Sequence, residues 1–483
     1  MNVIQTDFSS IRAAIAAFNP LPHVAPNTRI LVEQAFLPQG HRGILDLRRQ
    51  LVVGNRGMGK SFWTHALLSA DLRQRLAEVY RHKLLINADV VIGFNGSSKV
   101  NETAPTVDEI TNLYAQGVDP NLIWRAVLIR IAAMSLPEKR EEKLEVIIDA
   151  LKSDPNLYSV TLSVADSNFA RSGKTLLVVF DALDRLGRDW ESIRQLTRAL
   201  LALAVGLQSF SAIRAKIFLR VDQFADQELF RFPDSSKIKN DHVDLLWRPT
   251  ELYGLLLFEL LRNDISREPL ELLAKHEQAN IALPNAGAQS WANAEPQARI
   301  INRLAGEFMG SNKKRGRVYT WLPLHLSDAA QTCSPRSFLT AWQKAAEHDP
   351  EPVGRAVDHL GLQEGVRWAS RSRLAELYED YPWIEPALKA LRREFVPMER
   401  EHLFATWAAE FVIDKIRENA ASHESRAPVK FMAGADPAAL LSSMRDVGVM
   451  EERANGKINV PDIFRVEAEI LRKGGVAVPK RNG

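Results

Sequence analysis

The sequence predicts an α/β protein: a central parallel sheet, then helical regions, then a small C-terminal helix-and-hairpin module. Three observations carry the prediction. Runs at Leu51–Val53, Leu176–Phe180 and Lys216–Leu219 are almost wholly apolar and stop on a loop or a charged residue, as strands buried on both faces do. The stretches between them repeat apolar residues at helical spacing, with Phe62, Ala66, Leu67 and Leu72 on one face after the first run. Near the C-terminus, a helical pattern from Pro437 to Val447 leads into Asn455-Gly456, a dipeptide that strongly favours a two-residue hairpin.

At 483 residues, and with about 150 residues per domain as a guide, the chain is long enough for two to four domains. A hydrophobic share of 46% and a charged share of 25% are those of a globular protein. No run reaches the roughly 18–20 apolar residues of a membrane span, and the best of them, Leu196–Leu207, contains Arg198. The N-terminus carries no secretory pattern, and the single cysteine, Cys333, excludes an internal disulfide. Both point to a reducing cytoplasmic setting. A net charge of +3 gives no global argument for nucleic acid.

The chain divides unevenly. Residues 1–44 form an N-terminal arm, in which Ile11, Ala14, Ile15 and Phe18 make an amphipathic stretch before Pro20, Pro22 and Pro26. The arm is expected to pack on the α/β core or on a neighbouring subunit. Residues 45–250 form that core, with 84–94 as a further strand candidate and mostly helical sequence over 106–152. Residues 251–346 read as a helical lid, interrupted by a polar loop at 277–297. Residues 347–420 read as a helical layer whose aromatics, Trp368, Tyr378, Tyr381, Trp383 and Trp407, fill its interior. Residues 421–483 read as a winged-helix-like domain.

The most specific chemistry sits after the first strand. Gly54-Asn55-Arg56-Gly57-Met58-Gly59-Lys60-Ser61 is a complete G-x-x-x-x-G-K-[ST] pattern. Such a loop turns consecutive N–H groups inward around a polyphosphate, and the helix that follows adds its positive end. Residues 54–62, through Phe62, are therefore the expected nucleotide-binding segment. Lys60 reaches β- and γ-phosphate oxygens, and the Ser61 hydroxyl is a ligand for Mg²⁺. The second apolar strand ends at Asp181, placed to hold Mg²⁺ opposite Ser61. Three residues on, Asp184 is the candidate to orient or deprotonate the attacking water. It is alternatively a helix cap or a surface partner of Arg185 or Arg188. The third strand ends in Arg220, which either faces the γ-phosphate or pairs with Asp222 or Asp226.

Together GNRGMGKS, LLVVFDALDRL and KIFLRVDQF resemble the additional-strand P-loop ATPases, most of all the STAND and KAP groups, with AAA+ and origin-recognition ATPases as relatives. The segment VDLLWRPTELYGLLLFELL also resembles bacterial STAND-type proteins, and similar architectures occur in ATPases of anti-phage systems. The resemblance spans roughly residues 45–345. It implies Mg·ATP binding and hydrolysis, a γ-phosphate sensor at Arg220, and a lid arginine at Arg336 within Ser334-Pro335-Arg336. Ala182 stands where AAA+ proteins carry glutamate beside the strand-end aspartate, which moves the catalytic role toward Asp184.

Three functions follow as expectations. The first is an ATP-driven switch that controls assembly or a partner protein, in a bacterial defence setting. The second is an initiator- or loader-type ATPase on duplex DNA, and the third a scaffold that holds nucleotide without turnover. The Mg²⁺ constellation disfavours the scaffold. The recognition-helix candidate, Pro437–Met450, offers only Arg445, so DNA affinity in this module is expected from Arg453, Lys457, Lys473, Lys480 and Arg481. The basic run Lys313-Lys314-Arg315-Gly316-Arg317 is a solvated loop or a phosphate contact.

Overall fold

The computed structural model describes residues 6–20, 31–134, 143–187, 189–279, 293–422, 436–473 and 476. Pro22, Pro26, Arg188, Lys480 and Arg481 lie outside the described residues. The chain forms two compact units. One, Gly40–Leu245 with Val24–Ala35, is the α/β unit; the other holds the remainder and is mostly helical.

The α/β unit is organised by a five-stranded parallel sheet of β1 (Leu51–Val53), β2 (Ala88–Phe94), β3 (Thr175–Phe180), β4 (Ile213–Leu219) and β5 (Val243–Asp244). The spatial order is β2-β3-β4-β1-β5. β4 therefore lies between the strand that feeds the glycine loop and the strand that ends at Asp181, which is the arrangement an additional-strand fold requires. Register is fixed by pairs such as Leu51↔Ile217 and Val178↔Ala215. The apolar runs are continuous because both faces of the inner strands are covered: Leu177, Val178 and Val179 are fully buried.

Two strand limits differ from the sequence expectation. β2 starts at Ala88, since Lys83–Leu85 forms a 3₁₀ turn. β4 starts at Ile213 and carries Lys216 into the interior. The Lys216 ammonium donates to the carbonyls of Asp46 (2.7 Å) and Arg49, tying β4 to the segment before β1. Burial lowers its pKa to about 7.

Among the described residues between β2 and β3, the chain forms four helices, Val107–Ala115, Pro120–Met134, Leu144–Ser153 and Leu157–Arg171. Pro120–Met134 is the buried one. Its Trp124 packs edge-on against Phe94 and Phe180 and donates its indole N–H to Leu196 O at 2.8 Å.

The second unit packs helices on helices. Pro335–Glu347 and His359–Asp380 form its central pair. They approach backbone to backbone at two glycines: a Cβ at Gly365 would lie 2.1 Å from Ala341 O, and one at Gly361 2.7 Å from Ala345 O. The N-terminal arm corrects an expectation. Its helix, Phe8–Ala16, packs inside this helical unit, on Pro335–Glu347, with Ile11 and Ile15 fully buried. Arg12 secures it by donating to Ala356 O and His348 O. Tyr381, Trp383 and Trp407 are core as expected, whereas Trp368 stays 38% exposed beside Arg371. The helix Pro437–Asp446 is followed by an antiparallel pair, Glu451–Glu452 with Ile458–Asn459, turned at Gly456. No described helix is long and apolar enough to cross a membrane.

Candidate nucleotide-binding site

The glycine loop joins β1 to the helix Lys60–Leu68, as its sequence requires. Gly57 (φ 80°) and Gly59 (φ 103°) adopt left-handed backbone that a side chain would strain. A Cβ at Gly59 would meet nothing within 4 Å, so the loop is open on that side. Met58 is buried, leaving only its backbone to serve a ligand. The helix is seated by Trp63, whose indole N–H donates to His41 Nδ1 at 3.0 Å.

Lys60 folds back over the loop. Its Nζ donates to Gly54 O (2.8 Å) and Asn55 O (3.1 Å), contacts that phosphate oxygens can replace. Burial depresses its pKa to about 8, opposed by the negative charge of Asp181 and reinforced by the positive charge of Arg220.

Asp181 follows β3 and is buried. Burial pushes its carboxyl up, while Lys60, the Ala182 N–H and the Thr64 hydroxyl pull it down. Those two donors lie at 2.8 Å and 3.0 Å. Thr64 was not legible as a site residue, because a threonine beside Trp63 reads as helix core. The available signal was spacing: it lies one turn beyond Lys60, on the same face. Removing its hydroxyl in Thr64→Val leaves Asp181 with one donor fewer, worth about 1 kcal/mol. The Mg²⁺ concentration that half-saturates ATP binding is expected to rise several-fold; an unchanged Mg²⁺ titration would remove Thr64 from the site.

Asp184 and Arg220 come together, which the sequence left open. Ala182 takes a left-handed conformation (φ 55°), and the chain turns sharply into the 3₁₀ turn Leu183–Arg185. Asp184 Oδ2 then lies 3.5 Å from Arg220 Nη1, and Arg220 Nε donates to Asp222 Oδ1 at 3.1 Å. Gly96 abuts this turn, since a Cβ there would lie 2.9 Å from that of Ala182. The other expected partner of Arg220, Asp226, instead accepts from Trp190 Nε1 at 3.2 Å.

Asp181, Asp184 and Asp222 all bear on Lys60 by charge, as does Arg220, with Asp222 engaged by Arg220 itself. Mg²⁺ at such a site is held by one or two carboxylates, a hydroxyl and substrate phosphates. Ser61 and Asp181 are the residues that would hold it, with Thr64 fixing Asp181. Among the described residues no cluster of three or more His, Cys, Asp or Glu forms a self-sufficient metal cage.

Arg336 belongs to the helical unit. It follows the cap Ser334 and Pro335, as the sequence suggested, and its Nη1 donates to Glu376 Oε1 at 2.6 Å. The cations of the C-terminal module are also engaged. Arg445 pairs with Glu452 (3.0 Å), Arg453 with Glu451 (3.4 Å) and Lys457 with Glu399 (2.8 Å). The DNA affinity expected from Arg453 and Lys457 therefore meets adjacent carboxylates that repel phosphate.

Strand order, glycine loop and strand-end aspartate define a P-loop α/β fold. No family model matches the sequence, and no curated protein does. Solved structures that match include the ORC2 protein of Aeropyrum pernix in ADPNP–ADP complexes, at 13% identity, covering 86% of this chain and 84% of that one, with a TM-score of 0.35. The Aeropyrum pernix ORC1 protein in complex with DNA matches at 12% identity over 95% and 94%, with a TM-score of 0.34. Cdc6p from Pyrobaculum aerophilum matches at 14% over 93% and 96%, with a TM-score of 0.29. Likeness at this level leaves the functional argument to the chain's own residues.

Proposed function

We propose that the chain is a Mg·ATP-binding and ATP-hydrolysing switch. The observation that carries this is the gathering of Lys60, Asp181, Asp184 and Arg220 around one open glycine loop. The loop amides and Lys60 bind the phosphates. Ser61 and Asp181 would hold Mg²⁺, which would supply charge neutralisation to the phosphates. Asp184 accepts a proton from, or orients, the attacking water. Arg220 exchanges Asp184 for the γ-phosphate, and so meets ATP and ADP differently. Such a difference in contact is what lets a nucleotide shift a conformational equilibrium.

Arg336 is the proposed second reporter of nucleotide state. Its release is inexpensive, because Glu376 keeps Arg373 as a partner at 3.2 Å. The readout is assembly of copies of the chain or activation of a partner protein. Light scattering with ATP, with ADP and without nucleotide tests it. Mass is expected to change with ATP and the change to be lost in Arg336→Ala; one mass in all three states sinks the switch.

The bacterial-defence setting rests on the sequence resemblance alone, and neither the geometry of the site nor the matching structures support it. The alternative, an initiator- or loader-type ATPase on duplex DNA, draws on the exposed basic loop at 313–317. The paired state of Arg445, on the recognition-helix candidate, counts against reading of sequence there.

A further inference from the structure

We infer that a basic tongue in the helical unit, residues 307–318, is a docking site for the phosphate backbone of duplex nucleic acid. The tongue is built rather than loose. Phe308 and Arg317 form an antiparallel bridge, Met309 N–H donates to Gly316 O at 2.9 Å, and Val318 N–H donates to Glu307 O at 3.0 Å. Its base is anchored by Met309 and Val318, both buried. At the tip Lys313–Arg315 makes one 3₁₀ turn, capped by Asn312 Oδ1 accepting from Lys314 N–H at 3.0 Å. The stem of Arg315 lies over Gly310, where a Cβ would approach its Cγ to 3.2 Å.

Lys313, Lys314 and Arg315 are exposed, and among the described residues none has a carboxylate partner. A fourth cation, Arg355, stands at the base with its Nη1 over Gly306. Only Arg317 is neutralised, by Glu307 at 3.1 Å. The contrast with Arg445, Arg453 and Lys457 is direct, since each of those is tied to a glutamate. Holding three like charges side by side in a fixed turn costs repulsion that an anionic partner offsets.

The chemistry of the tip selects the anion. Residues 310–317 are Gly, Ser, Asn, Lys and Arg alone. There is no apolar side chain to enter a bilayer, as an interfacial anchor needs. The tip has no aromatic on which an unpaired base would stack, and the half-buried rings at its base, Phe308 and Trp321, are already covered by Arg317 and His325, which disfavours single strands. A protein partner would be met by an apolar or aromatic centre and few lysines. Lysine, arginine, serine, asparagine and backbone N–H groups are instead the donors that contact phosphates of a duplex, fixing position without reading sequence.

The inference goes beyond the ATPase reading and does not depend on it, so its test is run without nucleotide. The full chain is titrated against a fluorescent duplex of arbitrary sequence over a salt series, beside Lys313→Ala/Lys314→Ala/Arg315→Ala. Each phosphate contact contributes about 0.9 to the slope of log affinity against log salt, so the triple variant should lose roughly 2.7 of slope and bind at least about tenfold more weakly at low salt. Arg453→Ala/Lys457→Ala should leave the slope within error of the parent. Lys314→Glu alone, with circular dichroism, separates loss of contact from loss of fold and should weaken binding while the helical signal stays. Equal slopes for the parent and the triple variant overturn the inference, as does tighter binding to phosphatidylserine vesicles than to the duplex.

Discussion

Lys60→Ala is expected to weaken ATP binding by about 10- to 150-fold while the protein stays folded. A hydrogen bond to a charged group is worth about 1.5–3 kcal/mol, and each 1.4 kcal/mol is tenfold in affinity. The lysine's present partners are the carbonyls of Gly54 and Asn55, so its loss strands no buried carboxylate by a direct hydrogen bond. Calorimetry on the variant decides: unchanged affinity would remove the loop from the binding site. A pH series supplies a second check on the parent. Burial sets the free Lys60 pKa at about 8, and a bound phosphate raises it. Binding therefore takes up a proton above that pH, and ATP affinity should fall as pH rises from 8 toward 10. Affinity that is flat or rising over that range contradicts phosphate contact by this ammonium.

Asp184→Asn is expected to lower turnover by about 100-fold or more, with ATP affinity changed little, the range expected of a positioned general base. The amide keeps the shape of the carboxylate but neither takes a proton nor holds Arg220 by charge. Arg220 retains Asp222 at 3.1 Å, so the strand end should remain ordered. Turnover at the parent rate would make Asp184 a structural partner of Arg220. A fall in ATP affinity with unchanged turnover would instead place it in ground-state binding.

What the sequence disclosed follows from how each signal arises. β1, β3 and β4 were legible because strands covered on both faces must be apolar throughout, and the residue at which the run stops marks the strand end. Thus the glycine loop, Asp181 and Arg220 could be placed by number. β5 has only Val243 and Asp244, too short to show any period. The start of β2 was misjudged because apolar content at 84–87 does not report whether a neighbouring strand is there to pair with. The arm's helix was legible from Ile11, Ala14 and Ile15, whereas its resting place on Pro335–Glu347 depends on a surface built far along the chain. The Asp184–Arg220 and Thr64–Asp181 contacts are of the same kind. Each joins residues whose proximity is decided by strand order, and strand order is not a local property.

The glycine-mediated fit of Pro335–Glu347 against His359–Asp380 has a mechanical consequence. Ridges of side chains can ratchet past one another, but main chain seated on main chain cannot: either helix would have to climb out of the notch at Gly361 and Gly365 before it slid. Arg336 is fixed to the first of these helices, and Phe8–Ala16 lies along it. A displacement of that arginine would therefore carry these packed helices together rather than slide one along another.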